Sequence, residues 1–85
     1  ETFRCLTLAY DALNTGGTMP AAMNAANEVA VEAFLQGRLS FLEVAELVEE
    51  AMDAHKAINA PDLDDIFETD RWAREFLLEK HPALG

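Results

Sequence analysis

The chain has 85 residues, enough for one small domain that buries about 60–65% of its unfolded surface. Sixteen acidic against six basic residues give a formal net charge of -10, which argues against DNA, RNA or an anionic membrane surface as partner, since Lys and Arg carry those contacts. No apolar run approaches the roughly 20 residues that span a bilayer, no secretory leader pattern opens the chain, and the lone Cys5, unable to form an internal disulfide, suits a reducing compartment. Glu1 in place of an initiating Met leads to the expectation of a piece cut or processed from something larger.

The first helix is expected from about Phe3 to Asn14. Phe3, Cys5, Leu6, Leu8, Ala9, Tyr10, Ala12 and Leu13 fill one broad apolar arc, and Arg4, Thr7, Asp11 and Asn14 share the rest. Gly16 and Gly17 stop it, because glycine accepts the left-handed conformation that follows a helix.

The second helix is expected to begin near Pro20, which suits a first helical turn, and to end at Gly37. Its polar stripe is Glu28, Glu32 and Gln36. Ala22, Ala26, Val29, Ala30 and Ala33 form one apolar sector, and Met23, Phe34, Val31 and Leu35 form another. At 100° per residue, Asn27 falls between Phe34 and Val31, and Asn24 between Val31 and Leu35. A buried amide left unpaired costs roughly 1–3 kcal/mol. Both are therefore expected to have definite partners, either backbone groups of a neighbouring helix that set its register or a further domain.

The third helix has the clearest start signal. Ser40 and Glu43 are spaced for a capping box, and Leu39 and Val44 for a hydrophobic staple. From there to about Ile58, Phe41, Val44, Ala45, Leu47, Val48, Ala51, Met52 and Ile58 share one side. Glu43, Glu46, Glu49, Glu50, Asp53 and Lys56 share the other. Asn59-Ala60-Pro61 breaks the helix, and "DLDDIF" reads as a short helical turn. A last helix is expected from about Asp70 to Lys80, with Thr69 as cap, Trp72, Ala73, Phe76 and Leu77 facing inward, and Pro82 as its stop. Trp72 reads as the largest core anchor, with Arg71 and Arg74 set to pair with the acidic third helix. Nothing alternates with period two. The expected fold is all-α, an antiparallel four-helix bundle with short loops, with residues 1–85 as a single helical domain.

Chemistry is hard to place on these residues. Asp62, Asp64 and Asp65 fail a calcium loop, because Ile66, Phe67 and Ala73 occupy its fifth, sixth and twelfth positions; they read instead as acids favouring a helix N-terminus. His55 is expected to pack on the third helix with a ring nitrogen on a carbonyl, and His81 to be solvated; no second His or Cys stands at metal spacing. Cys5 reads as core filler, not nucleophile. There is no phosphate-cradling glycine loop and no Ser-His-Asp constellation. Small acidic acyl carriers place a serine in an Asp-Ser-Leu motif opening a helix. Ser40 instead lies in "RLSF" with its hydroxyl engaged in a cap, which sets that reading aside. No catalytic, cofactor-binding or metal residue is therefore expected in this chain. A free-standing acidic helical module that binds a basic partner is one reading of such a chain.

The other reading rests on resemblance. "MNAANEVAVEAFLQGRLSF", supported by "CLTLAYDA" before it and "DRWARE" after it, resembles the C-terminal helical domain of the 1-deoxy-D-xylulose 5-phosphate reductoisomerases. The likeness spans nearly the whole chain, departing at Arg4, where the family often has Pro, and at Thr7, where a basic residue is common. It implies a parent enzyme that uses NADPH and a divalent metal, magnesium or manganese. Such a parent forms 2-C-methyl-D-erythritol 4-phosphate in non-mevalonate isoprenoid biosynthesis in the bacterial cytoplasm. It further implies an N-terminal NADPH-binding domain and a central catalytic domain as partners, with the metal- and phosphate-binding residues lying there and none here. On this reading Asn24, Asn27 and Glu28 are the candidate residues at the surface docked on those domains. The isolated domain is then expected to self-associate through the apolar face it would otherwise cover.

Overall fold

The computed structural model describes residues 2–84, with side chains over 4–84. Four α helices, α1 (Thr2–Thr15), α2 (Met19–Leu35), α3 (Phe41–Ala54) and α4 (Leu63–Lys80), lead into a 3-10 turn at Pro82–Leu84. No strand occurs among the described residues, so the all-helical expectation holds. The side chain of Phe3, placed in the apolar arc of α1, lies outside the described residues.

The helix stops follow glycine chemistry. Gly16 and Gly17 both adopt positive φ after α1. Gly37, with φ 79°, closes α2 in a Schellman motif: the Arg38 N–H donates to the Ala33 carbonyl at 2.9 Å and the Gly37 N–H to that of Phe34 at 3.0 Å. At the start of α3 the capping box is present, with the Glu43 N–H donating to Ser40 Oγ at 3.3 Å and the Ser40 N–H to Glu43 Oε1 at 2.8 Å. Hydrogen bonding to its carboxylate, from the Ser40 backbone N–H first and the Ser40 side chain second, holds the Glu43 carboxyl below its ordinary pKa.

Two boundaries differ from expectation. Helix α3 ends at Ala54 instead of near Ile58, and His55 is its C-cap in extended conformation. The cause is tertiary: the Thr18 N–H donates to the Ile58 carbonyl at 3.1 Å, which draws 55–58 out of the helix toward the α1–α2 turn. The "DLDDIF" turn and the last helix are one continuous element. Asp62 caps it and Asp65 closes a second capping box, while Thr69, expected as a cap, is buried in its interior. Aspartate at the third position performs here the role usually given to glutamate.

Helix α2 is the centre of the assembly and contacts α1, α3, α4 and the 3-10 turn. Ala22, Ala25, Ala26, Ala30 and Ala33 are wholly buried along it, and such small side chains let α3 and α4 approach closely. Val44, Leu47, Val48, Ala51 and Met52 supply the facing side of α3, as its periodicity predicts. Among the described residues the largest wholly buried apolar side chain is Leu77, not Trp72. Trp72 is half-buried and stacks between His55, 5.0 Å away, and Phe76, 5.1 Å away. Phe41 and Ile58, assigned to the inner side of α3, are exposed; Phe41 packs edge-on against Phe34 at 5.7 Å.

Candidate functional site

The two asparagines of α2 do not share an environment. Asn24 is exposed and its Nδ2 donates to Glu28 Oε2 at 3.4 Å. Four residues separate it from Glu28, as four separate Glu28 from Glu32 and Glu32 from Gln36, so Asn24 extends the solvated stripe. The apolar placement is corrected by that spacing. Leu35, at the same edge, is also exposed. Asn27 is half-buried and lines a small cavity of about 170 Å³ with Cys5, Leu8, Met23 and Val48, where α1, α2 and α3 meet.

Glu28 ties α2 to α4. Its Oε1 accepts from Arg74 Nη2 at 2.6 Å, and Arg74 Nε donates to Asp70 Oδ1 at 2.7 Å. Asp70 first, then Glu28, raises the Arg74 pKa above its ordinary value. Arg74 thus pairs with α2 and its own helix, where pairing with α3 was expected. The acids of α3 have other partners: Glu49 with Arg4, and Glu50 with Lys80 and with His81, whose Nε2 lies 2.8 Å from Glu50 Oε1. His81 is therefore half-buried in a polar contact instead of solvated. Such partly exposed pairs contribute at most about 1 kcal/mol each and orient the helices more than they stabilise them.

A junction that the sequence reading missed joins the two ends of the chain's middle. The wholly buried Thr18 accepts the Ile58 N–H on Oγ1 at 2.9 Å, and His55 Nε2 lies 2.7 Å from the same oxygen. The His55 ring thus meets a hydroxyl where a carbonyl was expected. With Ile58 donating, the Thr18 hydroxyl is free to donate to the unprotonated Nε2. Burial holds the His55 pKa below its ordinary value, which favours that neutral form. The sequence signal was Gly-Gly-Thr, readable as a turn whose third residue is polar with nowhere solvated to go.

Thr18→Val keeps the shape and removes both bonds, leaving the Ile58 N–H unpaired. It should destabilise the fold by about 1–3 kcal/mol, read as a shift in the urea midpoint, while Thr18→Ser stays close to the parent chain. The pH dependence follows from the sign of the His55 shift. The unfolded chain takes up this proton near the ordinary value of 6.5 and the folded chain only below it. The contribution is complete above that range and is lost as pH falls through the folded value. A melting curve taken from pH 7.5 downward should show this loss, and His55→Gln should flatten it across the same window.

Exposed large apolar side chains gather in three places. Leu6, Tyr10 and Leu13 line one side of α1, Phe34, Leu35, Phe41 and Leu42 the α2–α3 corner, and Leu63, Ile66 and Phe67 the first turns of α4. The broad apolar arc of α1 is split in two. Leu8 and Ala12 enter the core and Cys5 packs half-buried against it, whereas Leu6, Tyr10 and Leu13 face away. Among the described residues no three of His, Cys, Asp or Glu come together to hold a metal ion. The donor set here does not fit the divalent metal that the resemblance implies for a parent enzyme. Among the described residues, no helix is long and apolar enough to cross a membrane.

The family model for the DXP reductoisomerase C-terminal domain matches residues 1–76. The chain is similar to 1-deoxy-D-xylulose 5-phosphate reductoisomerases from three bacteria. Identity to that of Bacillus cereus is 58% over 80 residues, 94% of this chain and 21% of the relative. It is 55% over 75 residues for Thermodesulfovibrio yellowstonii, 88% of this chain and 20% of the relative. For Caldanaerobacter subterraneus it is 54% over 81 residues, 95% and 21%. The chain therefore spans about a fifth of the length of these relatives. No solved structure matches it.

Proposed function

Because the chain belongs to the DXP reductoisomerase family through its C-terminal domain, we propose that it is the non-catalytic helical domain of such an enzyme, packed on the catalytic domain and supporting it. The observation that carries this reading is the match over residues 1–76 to a C-terminal domain, in relatives some five times as long. The parent would convert 1-deoxy-D-xylulose 5-phosphate into 2-C-methyl-D-erythritol 4-phosphate for isoprenoid biosynthesis in the bacterial cytoplasm. The parent would use NADPH and a divalent metal, both held by the preceding domains. This chain's part is architectural. Connections as short as 16–18 and 36–40 favour an antiparallel four-helix bundle. Its interior is closed around the alanine stripe of α2; Glu28, braced by Asn24 of the same helix, sets how α2 sits against α4, and Asn27 sets how it sits against α1 near the docked surface.

The test compares the intact parent with a version lacking this domain, following NADPH consumption with 1-deoxy-D-xylulose 5-phosphate, and assays the 85-residue chain alone. Loss of turnover and of melting temperature on deletion, with no turnover by the chain, is the expected result. Turnover by the chain itself, or a deletion that changes neither quantity, rejects the proposal. In the intact parent, Asn24→Ala and Asn27→Ala are each expected to lower the melting temperature by a few degrees, on the scale of about 0.5–1 kcal/mol. Unchanged melting and turnover in both would remove these residues from the docking geometry.

A further inference from the structure

We infer that the outward side of α1, formed by Leu6, Tyr10 and Leu13, is the face on which the preceding domains of the parent enzyme dock. This rests on the reading above and names its surface. The three side chains are 52%, 60% and 69% exposed, and they follow one another at four and three residues. At 100° per residue they occupy an arc of roughly 60°, with Leu8 and Ala12 pointing the other way into the core.

Charge distinguishes this face from its rivals. The charged residues of α1 are Arg4 and Asp11 alone, so a chain of net charge -10 carries almost none of it there. Both lie about 100° or more from the stripe on the wheel, and Arg4 turns to Glu49 of α3. A partner can therefore cover Leu6, Tyr10 and Leu13 without desolvating a charge, which is the costly step in burying a surface. The α4 patch is interleaved with Asp64, Glu68 and Arg71. At the α2–α3 corner, Phe34 and Phe41 pack edge-on against each other, and the exposed Arg38 and Glu43 stand in sequence among Leu35, Phe41 and Leu42.

The occupant follows from the relatives. About four-fifths of their polypeptide lies outside the matched segment, and α1 is the helix nearest in sequence to whatever precedes a C-terminal domain. The complementary surface should be apolar and uncharged.

Hydroxyl-radical footprinting of the intact parent, read by mass spectrometry and normalised to the denatured enzyme, tests this. Leu6, Tyr10 and Leu13 should be oxidised about fivefold more slowly than Leu35 and Leu63, as befits a desolvated interface, and the protection should persist on dilution. Equal rates on α1 and at Leu35 and Leu63, all high, would overturn both this inference and the docking reading. Protection at Leu35 or Leu63 with α1 labelled freely would overturn this inference alone and move the docked face. Protection of α1 that vanishes on dilution would overturn it in favour of a second copy of the chain.

Discussion

Gly17→Ala is expected to destabilise the fold by about 3–4 kcal/mol, the largest effect of any single methyl in this chain. Gly17 adopts φ +57°, a left-handed conformation that an L side chain enters at some cost. The greater obstacle is steric. A Cβ built there would lie 2.2 Å from the Ile58 carbonyl oxygen and 2.9 Å from its carbon. Both are backbone atoms and cannot swing aside. Relief requires the 55–58 segment to retreat, and that breaks the Thr18 bonds to Ile58 in both directions. Gly16→Ala is the internal control: its φ is +72°, but nothing lies within 4 Å of the added methyl. It should cost about 1 kcal/mol, the conformational part alone. Urea unfolding of both variants measures the difference, and equal midpoints would show that the turn does not seat against Ile58.

Leu77→Ala is expected to cost about 3 kcal/mol. Leu77 has no exposed surface and sits in the core cluster with the alanines of α2 and the apolar side of α3. Those neighbours are small or held within helices, so they cannot collapse into the vacated volume, and the cavity adds to the lost transfer energy. For a domain of this size that corresponds to a fall of about 12 °C or more in melting temperature. The adjacent Leu78, 39% exposed, should cost about 1 kcal/mol or less when truncated to alanine. A calorimetric scan in which the two variants melt together would contradict the placement of Leu77 at the centre.

Local signals in the sequence were strong where a few neighbouring residues decide the outcome. Ser40 with Glu43, the glycines at 16, 17 and 37, and the apolar side of α3 each carry their own physics within one or two turns. The join between "DLDDIF" and the last helix was obscured because Asp65 stands where a glutamate completes the familiar capping box. The end of α3 could not be read from α3 at all. Residues 55–58 have a helical apolar pattern, and only the distant Thr18 draws them out of the helix. The candidate surface was likewise half legible. Asn24 shares the four-residue spacing of its stripe and could have been assigned to solvent. The two sides of α1 could not be told apart, since Leu6 and Leu8 are equally apolar.

By itself, the sequence determined an acidic, all-helical chain with glycine stops and capping boxes, and membership of one enzyme family through its C-terminal domain. Those properties reside in composition and in contacts between near neighbours. Tertiary structure alone decided that α2 lies at the centre, that Leu77 anchors the core where Trp72 was expected, that Thr18 locks the α1–α2 turn to the α3–α4 connection, and that α1 keeps an uncovered apolar side. Each depends on groups distant in sequence competing for the same buried space or the same hydrogen bond, a competition that periodicity does not record.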